Sequence, residues 1–450
     1  MRNRNTELLC DLHIHSRFSR ATSRDLNLGQ LYQWAQRKGI GLVGTGDFTH
    51  PGWRAELREQ LVPSRISGAE EDGLFELRPE LRAALDEEVP RACRRPVRFV
   101  LTVETSHIFK KDDAVRKVHN LTLLPSLEVA DAFCGRLERL GFNLRSDGRP
   151  IFGLACRDYL ELVLEQHPLA MLIPAHIWTP HFSVFGSLSG FDRIEDCFLD
   201  LTPHIFALET GLSSDPAMNW RLSALDRFTL ISSSDAHSAQ KLGRELTVVD
   251  LGPHPSFEGL RRALEKCEPD RFLGTIEFYP EEGKYHLDGH RGCGVRLLPQ
   301  ERSDLHGLCP ACGKRVTVGV LSRIEALADR SEREVADGAA RLPRARPFVN
   351  LVPLPEILGE VLGTDGSSVG AQRLYFKLLD QLGSELSILR SLDLGDIRRH
   401  ASEHVAEAVQ RVRTGRLHIA AGYDGEYGTI KLFEPAERPS RAEARQMAMF

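Results

Sequence analysis

The chain has 450 residues, about three times a typical domain length, which predicts two or three domains and at least one large core. Hydrophobic residues make up 42% and charged residues 27%, which excludes collagen, an extended disordered chain and a coiled-coil rod. The net charge is only -5, so the charge of the whole chain predicts no polyanionic partner. No stretch approaches the roughly 18 apolar residues of a membrane span, and Asp11 lies where a signal peptide would be apolar. We therefore expect a cytoplasmic protein that does not bind a membrane.

Residues 1–275 alternate short apolar runs with helical patterns. This alternation predicts an α/β fold with a parallel sheet, or a distorted βα barrel of about seven or eight strands. The first predicted helix covers residues 27–38, with Asn27 as N-cap and Gly39 as the C-terminal stop. Two further helices are predicted over residues 56–88 and 126–140. The predicted strands cover residues 8–15, 41–45, 97–103, 169–174, 205–208 and 228–232.

The pattern changes after residue 275. Residues 276–322 contain two strand-like runs, 295–298 and 316–320, around a group of cysteines, and we interpret them as a small zinc-ribbon-like domain. Residues 323–440 form a predicted, mainly helical C-terminal domain, with helices over 370–382 and 396–413. The last segment, 441–450, is a predicted tail.

Residues that can bind metals follow nearly every predicted strand of the first domain. His13 and His15 lie on one face of the first strand because side chains alternate with a period of two. In a βα barrel the carboxyl ends of the strands meet at one mouth, so residues distant in sequence come together there. The candidate ligands are His13, His15, Asp47, His50, Glu104, His119, His176, Asp235 and His237.

This cluster has too many ligands for a single tetrahedral zinc and favours two or three ions bridged by a carboxylate. Metal ions about 4 Å apart lower the pKa of a water between them and stabilise the attacking and leaving oxygens at phosphorus. The sequence therefore predicts phosphoester hydrolysis, with Glu104 and Asp235 as the catalytic carboxylates. Zinc is the first choice of metal, and magnesium or manganese are the alternatives for activity.

A second metal site is predicted in the cysteine group. Cys309 and Cys312 have the spacing of a zinc knuckle, and His290 and Cys293 form the partner pair, with His286 as the rival fourth ligand. Four protein ligands close the coordination sphere, so this zinc is predicted to stabilise the fold rather than to catalyse a reaction.

The His-x-His at His13 and His15 resembles the first motif of the polymerase and histidinol phosphatase superfamily. Four phrases resemble the endonuclease Q family over most of the chain: DLHIHSRFSRATS at 11–23, GTGDFTHP at 44–51, PAHIWTP at 174–180 and KYHLDGHR at 284–291. The resemblance implies a repair enzyme that cuts DNA 5' to deaminated bases (uracil, hypoxanthine, xanthine) and abasic sites. It would place the protein at the nucleoid.

The resemblance also implies three metal sites. The first would use His13, His15, Glu104 and Asp235, and the second would use Glu104, His119 and His176. The third would use His237 with either Asp47 or His50, because the spacing of this pair departs from the superfamily pattern.

Several residues are candidates for contacts with damaged DNA. An enzyme that inspects one base flips it into a pocket, and aromatic residues beyond His176 could line such a pocket or pack in the core. The candidates are Arg17, Arg20, Arg157, Trp178, His181, Phe182 and Glu209. The last five residues, Gln446, Met447, Ala448, Met449 and Phe450, resemble a motif that binds the DNA sliding clamp.

Two other functions are consistent with the same residues. A small-molecule phosphatase of the histidinol phosphate type would use the same barrel chemistry, and a scaffold protein would carry an inactive metal cluster. The zinc ribbon and the helical domain favour a nucleic-acid substrate.

Overall fold

The computed structural model describes residues 6–65 and 71–439. The elements up to residue 277 are β1 (Glu7–Asp11), α1 (Leu28–Lys38), β2 (Leu42–Gly44), α2 (Pro51–Gln60), β3 (Leu61–Arg65), β4 (Glu71–Leu77), α3 (Pro79–Glu87), β5 (Arg98–Lys111), β6 (Ala114–Leu124), α4 (Leu127–Arg139), β7 (Ile151–Phe152), α5 (Cys156–Leu164), β8 (Met171–Pro174), α6 (Ile194–Phe198), β9 (Ala207–Glu209), α7 (Pro216–Asn219), β10 (Thr229–Ile231), β11 (Leu246–Asp250), α8 (Phe257–Lys266) and β12 (Phe272–Glu277). The later elements are β13 (Asp288–His290), β14 (Val295–Leu297), α9 (Pro299–Asp304), α10 (Val320–Leu327), α11 (Glu332–Ala336), β15 (Phe348–Asn350), α12 (Leu354–Leu362), α13 (Val369–Leu382), α14 (Glu385–Arg390), α15 (Leu394–His400), α16 (Glu403–Thr414), β16 (His418–Ala420) and β17 (Thr429–Lys431).

A mixed α/β fold is organised around one central sheet, as the alternating pattern predicted. Its 11 strands include the path β15-β12-β11-β1-β2-β5-β4-β3, and β6, β7 and β8 join through β5 and β6. Strands β9 and β10 form a separate pair. The Ile177 N–H donates to the Glu209 carbonyl at 3.1 Å, next to β8 and β9, and the Ser232 N–H donates to Thr247 Oγ1 at 3.1 Å, between β10 and β11. The strands therefore follow a closed path, β1-β2-β5-β6-β8-β9-β10-β11.

The central sheet is mixed, with parallel and antiparallel pairs, and so departs from the parallel sheet that was one of the two predicted arrangements. Strand β1 is parallel to β2, and β2 to β5, but β1 pairs antiparallel with β11, and β6 pairs antiparallel with both β5 and β8. For β6 the cause is the β5–β6 hairpin, which spans residues 98–124 without a crossover helix. For β11 the cause is the connection from β10, residues 232–245, which likewise contains no α-helix. A hairpin reverses the chain direction, whereas a crossover helix preserves it.

The first predicted helix is confirmed with both of its ends. The Asn27 side chain accepts a hydrogen bond from the Gln30 N–H at 3.0 Å, and Gly39 ends α1 with φ of 100°. Glycine adopts this left-handed conformation without the steric cost that a side chain adds. The helix predicted over 126–140 is likewise confirmed as α4, with Ser126 as its N-cap.

Two predicted helices are wrong in extent. The segment 56–88 contains the end of α2, the strands β3 and β4, and α3. The segment 396–413 contains two helices, α15 and α16, because the chain breaks at Ala401 and Ser402 caps a new helix by accepting from the Val405 N–H. The strand-like run at 316–320 forms only an isolated bridge, Gly289 to Thr317, and its last residue begins α10.

The region after residue 323 packs on the sheet and extends it. Strand β15 pairs in parallel with β12, with Thr275 opposite Phe348. Trp34 of α1 stacks on Tyr375 of α13, with ring centroids 6.3 Å apart. One continuous apolar core therefore runs from the sheet into the C-terminal helices. The boundaries predicted at 275, 322 and 440 stay predictions.

Within the part of the chain that the structure describes, no helix has both the length and the apolar character needed to cross a bilayer. The predicted clamp motif, Gln446 to Phe450, lies outside the described residues.

Candidate metal centre

The ends of β1 and β10 bring two pairs of polar side chains together. Ile14 and Ala236 form a parallel bridge, and the His15 N–H donates to the Ala236 carbonyl at 3.1 Å. Residues on either side of such a bridge share one face, so His13 and His15 lie beside Asp235. The closest contact is 3.0 Å, between His15 Nε2 and Asp235 Oδ1.

Strands β5, β6 and β8 supply the next three side chains. Ser106 of β5 pairs with His119 of β6, and Glu104 lies two residues earlier on the same face of β5. His176 follows the end of β8 by two residues and has φ of 29°. Glu104 Oε1 lies 2.5 Å from His119 Nδ1 and 3.0 Å from His176 Nε2.

These side chains form two groups of possible metal ligands. The first contains His13, His15, Glu104 and Asp235, and the second contains Glu104, His119 and His176; within each group the ligand atoms all lie within 4.8 Å of one another. Glu104 belongs to both groups, so its two oxygens can bridge them. These are the first two ligand sets that the family resemblance implies.

The donor set fits divalent cations. His13 Nε2 is buried and has no hydrogen-bond partner, and it lies 3.7 Å from both Glu104 Oε1 and Asp235 Oδ1. An unpartnered buried nitrogen is costly unless it binds something. Imidazole nitrogens and carboxylate oxygens are ligands that zinc, manganese and iron accept.

Carboxylates and histidines in the cluster shift one another's pKa. Burial raises the pKa of Glu104, but His119 and His13 outweigh burial and hold that pKa well below its ordinary value. Burial lowers the pKa of His119 to about 4, against the attraction of Glu104. Burial lowers the pKa of His13, His15 and His176, but the neighbouring carboxylates outweigh it and raise each pKa above its ordinary value. A bound cation would displace protons from these rings.

Two carboxylates contact the Nδ1 atoms of His13 and His15. Glu209 Oε2 lies 2.9 Å from His13 Nδ1, and Asp47 Oδ1 lies 3.4 Å from His15 Nδ1. A carboxylate on one ring nitrogen fixes the orientation of the ring and makes the other nitrogen a better ligand. The structure thus places Glu209, a candidate for contact with the displaced base, against His13, where it is buried.

The residues predicted for a third metal do not form a ligand group. Asp47 Oδ2 accepts hydrogen bonds from the Ser16 N–H and from the Ser16 and Ser19 hydroxyls. His50 stacks on Phe18, with ring centroids 4.3 Å apart. His237 lies 4.5 Å from the His15 ring, and its Nδ1 lies 2.9 Å from the Asp235 carbonyl. Neither Asp47, His50 nor His237 belongs to a three-ligand group among the described residues.

The backbone at the centre is strained. Asp47, His176 and Asp235 have φ of 48°, 29° and 47°, in the left-handed region that residues other than glycine rarely adopt. Such conformations cost about 1–3 kcal/mol each and persist where the surroundings enforce them. Gly211 shows how closely the surroundings fit, because a Cβ there would lie 2.4 Å from His176 Cβ. With this backbone conformation, the side chains of His176 and Asp235 lie in the ligand groups.

The predicted structural zinc ligands also come together. The ligand atoms of His290, Cys293, Cys309 and Cys312 all lie within 4.8 Å of one another. The hairpin of β13 and β14 carries the first two, and the turn that follows Cys309 is closed by the Gly313 N–H, which donates to the Cys309 carbonyl at 2.8 Å. His286 is buried and lies outside this group.

The thiols of this group differ in pKa. The Cys312 side chain and burial raise the pKa of Cys293 to about 11. Burial raises the pKa of Cys309, but the backbone N–H of Ala311 and the His290 side chain outweigh it, and the pKa falls to about 6. A thiolate is the form that binds zinc. All nine cysteines of the chain are free of disulfide bonds.

Two comparisons match parts of the chain. A family model described as the MJ0043 C-terminal domain matches residues 353–416. The protein MJ0043 of Methanocaldococcus jannaschii is 30% identical over 265 residues, which are 57% of this chain and 31% of that protein. This chain therefore spans about a third of MJ0043.

Two solved structures match nearly the whole chain. The lesion-specific endonuclease PfuEndoQ of Pyrococcus furiosus is 30% identical with a TM-score of 0.80, and the match covers 98% of this chain and 99% of PfuEndoQ. Endonuclease Q in complex with a 27-mer duplex carrying an abasic lesion is 31% identical with a TM-score of 0.78, and the match covers 95% and 97% of the two chains.

The chain belongs to the endonuclease Q family. In this family member, the three predicted DNA-contacting arginines lie on the surface and pair with acids. Arg17 Nη2 lies 2.6 Å from Glu56 Oε1, and Arg20 Nε lies 3.4 Å from Asp147 Oδ2. Arg157 donates from Nε and Nη2 to Asp200.

Among the aromatic residues that could line a base pocket in this endonuclease Q family member, Trp178 packs in the core. Trp178 is 1% exposed, stacks on Phe185 and donates from Nε1 to Asn219 Oδ1 at 2.8 Å. Of the two roles left open for it, pocket or core, the structure places Trp178 in the core. Phe182 lies beside the cluster, with its ring centroid 4.7 Å from that of His119, and His181 is exposed.

One cationic side chain at the candidate metal centre, Arg149, was not predicted from the sequence. Arg149 Nη1 lies 3.0 Å from Glu104 Oε2, and no motif or periodicity distinguishes this arginine from the chain's other basic residues. It lies in the segment between α4 and β7, which the sequence pattern left without a predicted role.

Proposed function

We propose that this chain is a metal-dependent DNA repair endonuclease, a hydrolase that cleaves phosphodiester bonds. The observation that carries the proposal is the whole-length match to PfuEndoQ together with the His and carboxylate cluster at the ends of its strands. A solved relative holds duplex DNA with an abasic lesion at its active site, which supports damaged DNA as the substrate here.

The chemistry of the site supports hydrolysis at phosphorus. Two or three divalent cations, zinc first among them, would be held by the ligand groups that share Glu104 and would supply Lewis acidity to the reaction. Glu104 and Asp235 hold the negative charge that keeps such cations in place. Glu209 and Asp47 orient His13 and His15 from behind.

The structural zinc is part of the same proposal. His290, Cys293, Cys309 and Cys312 would bind one zinc ion with all four positions filled, which leaves no open position for substrate. This zinc would stabilise residues 276–322 between the catalytic region and the C-terminal helices.

We further propose that the scissile bond lies 5' to the lesion, and that uracil, hypoxanthine, xanthine and abasic sites are the lesions cleaved. The support is the motif resemblance of residues 11–23, 44–51, 174–180 and 284–291. Phe182 and His181, beside the cluster, are the candidates for contact with the displaced base.

The test uses end-labelled duplexes that carry one lesion each, incubated with the enzyme and with zinc, magnesium or manganese. We expect cleavage at the first phosphodiester 5' of the lesion, and loss of cleavage in Asp235→Asn. Asp270→Asn is the matched control, because Asp270 is exposed and precedes β12, at the end of that strand opposite its carboxyl end.

Hydrolysis of p-nitrophenyl phosphate without incision of any lesion would contradict the proposal. That outcome would favour a small-molecule phosphatase of the histidinol phosphate type. Metal and DNA binding without turnover would instead favour a scaffold protein.

We also propose that Gln446, Met447, Ala448, Met449 and Phe450 bind the DNA sliding clamp. Its support is the sequence alone, through the spacing of the glutamine, the aliphatic residues and the terminal aromatic residue. Deletion of the five residues should abolish clamp binding in a pull-down and leave incision of short duplexes unchanged.

A further inference from the structure

Arg149 places a positive charge against the ligand that both metal groups share. Its Nη1 lies 3.0 Å from Glu104 Oε2, and 28% of its side chain is exposed. No other arginine or lysine among the described residues forms an ion pair with a carboxylate of the two groups. Arg149 therefore lies between the buried cluster and solvent.

The segment that carries Arg149 is held in place. Asp147 Oδ1 accepts hydrogen bonds from the Arg149 N–H at 3.1 Å and from the Arg20 N–H at 3.2 Å. Asp147 is 7% exposed, and the next residue, Gly148, packs so closely on Asp47 that a Cβ would lie 2.3 Å from Asp47 Oδ2. The position of Arg149 is thus fixed by a segment that packs on Asp47, the carboxylate that contacts His15.

The guanidinium has unused donors. It carries five N–H groups, and among the described residues only Nη1 donates a hydrogen bond. Its planar fork matches the oxygens of a phosphate group better than a lysine ammonium does. A partly exposed guanidinium with free donors beside a metal cluster is a suitable anion ligand.

We propose that Arg149 is a catalytic residue that binds a non-bridging oxygen of the scissile phosphate group at the metal centre. The inference rests on the proposed function for its substrate, a DNA phosphodiester. Contact with that oxygen places the phosphorus beside the two ligand groups and balances the charge that develops on the phosphate during hydrolysis.

A different role is possible for the same contact, in which Arg149 only neutralises Glu104. The two roles differ in what a substitution removes. Loss of a phosphate ligand weakens the binding of any phosphate and leaves the metals in place. Loss of a counter-ion for Glu104 changes metal content and leaves the affinity for phosphate unchanged once the metals are restored.

The experiment measures the binding of inorganic phosphate to the manganese-loaded full-length protein by calorimetry, with metal content measured in parallel. We compare the wild type with Arg149→Ala and Arg149→Lys. Arg145→Ala is the matched control, because Arg145 is exposed in the same segment. We expect Arg149→Ala to weaken phosphate binding by about 10-fold or more at unchanged metal content, and Arg149→Lys to weaken it less.

A second measurement uses duplex incision. Guanidinium ion added to Arg149→Ala should restore part of the lost cleavage rate, and the same addition should not help Asp235→Asn. Equal phosphate affinity in Arg149→Ala and wild type, or a loss of bound metal in Arg149→Ala, would overturn the inference. Phosphate binding that depends on Arg149 without any DNA incision would uphold it and refute the proposed function instead.

Discussion

At the scale of single residues, the candidate metal centre depends on side chains outside its ligand groups. His13 and His15 each present one ring nitrogen to the cluster, and a carboxylate holds the other nitrogen. His119 differs, because Ser106 Oγ lies 2.7 Å from its second nitrogen, Nε2. The ligand geometry is therefore set by residues on neighbouring strands and loops.

We predict that Glu209→Gln lowers metal affinity or turnover by about 10–100-fold, the usual effect of removing a ligand's hydrogen-bonded carboxylate. The change keeps the size of the side chain but removes the charge that orients His13. Metal titration and duplex incision would check it. Glu87→Gln, an exposed position at the end of α3, serves as the control, and equal values for both variants would contradict the role.

Gly211→Ala tests the fit around His176. The new Cβ would lie 2.4 Å from His176 Cβ, and Gly211 has φ of 65°, so the substitution displaces His176 and strains the backbone. We expect lower occupancy of the second metal group and a lower melting temperature. Gly153→Ala, where nothing lies within 4 Å of the new Cβ, should leave both quantities unchanged. Normal metal content in Gly211→Ala would refute the expectation.

At the scale of elements, residues 286–320 have a core too small to stabilise themselves. Their buried apolar cluster contains only Leu297, Cys309 and Val316. Small modules of this kind need a metal or disulfides, and no cysteine here forms a disulfide. A zinc ion bound by His290, Cys293, Cys309 and Cys312 would meet that need.

We predict that Cys309→Ser lowers the zinc content by about one ion per chain, because a hydroxyl is a poor zinc ligand. The loosened segment should then be cut by protease between residues 286 and 320. Mass spectrometry of the fragments and metal analysis would check both effects. Zinc added to wild-type protein after chelation should restore its resistance, and unchanged zinc content in Cys309→Ser would exclude this site.

At the scale of the whole molecule, buried carboxyl groups lie where separate strands converge. Glu277, at the end of β12, accepts hydrogen bonds from Thr210 after β9 and from Ser232 after β10. Its carbonyl accepts from the Leu351 N–H, next to β15. Burial, with a smaller contribution from Asp215, raises the pKa of Glu277 to about 8 despite the hydrogen bonds that lower it.

This raised pKa predicts a stability that depends on pH. Folded Glu277 holds its proton up to a pH of about 8, whereas the unfolded chain releases it near its ordinary value of 4.5. The free energy of unfolding should therefore fall as the pH rises between these values, by up to about 1.4 kcal/mol per pH unit. Glu277→Gln should show a shallower fall in urea unfolding between pH 5 and 8. Identical slopes for variant and wild type would contradict this.

Local patterns in the sequence identified much of this architecture. Helix α1 and its two ends follow from Asn27, Gly39 and the apolar spacing between them, because helix capping is decided within a few residues. The His-x-His at β1 and the Cys-x2-Cys knuckle were likewise recognisable, since each places its ligands by short-range geometry. The mixed α/β class follows from the alternation of strand and helix patterns.

Long-range pairing decided the rest. The contacts of Glu209 with His13 and of Arg149 with Glu104 join residues 196 and 45 positions apart. Strands β3 and β4 pair with each other where the local pattern favoured a helix. Which strands pair depends on the burial of whole faces, and local periodicity does not encode it. The sequence by itself therefore determined the ligand types and their local order. Only the tertiary structure decided which side chains orient those ligands and which cation faces them.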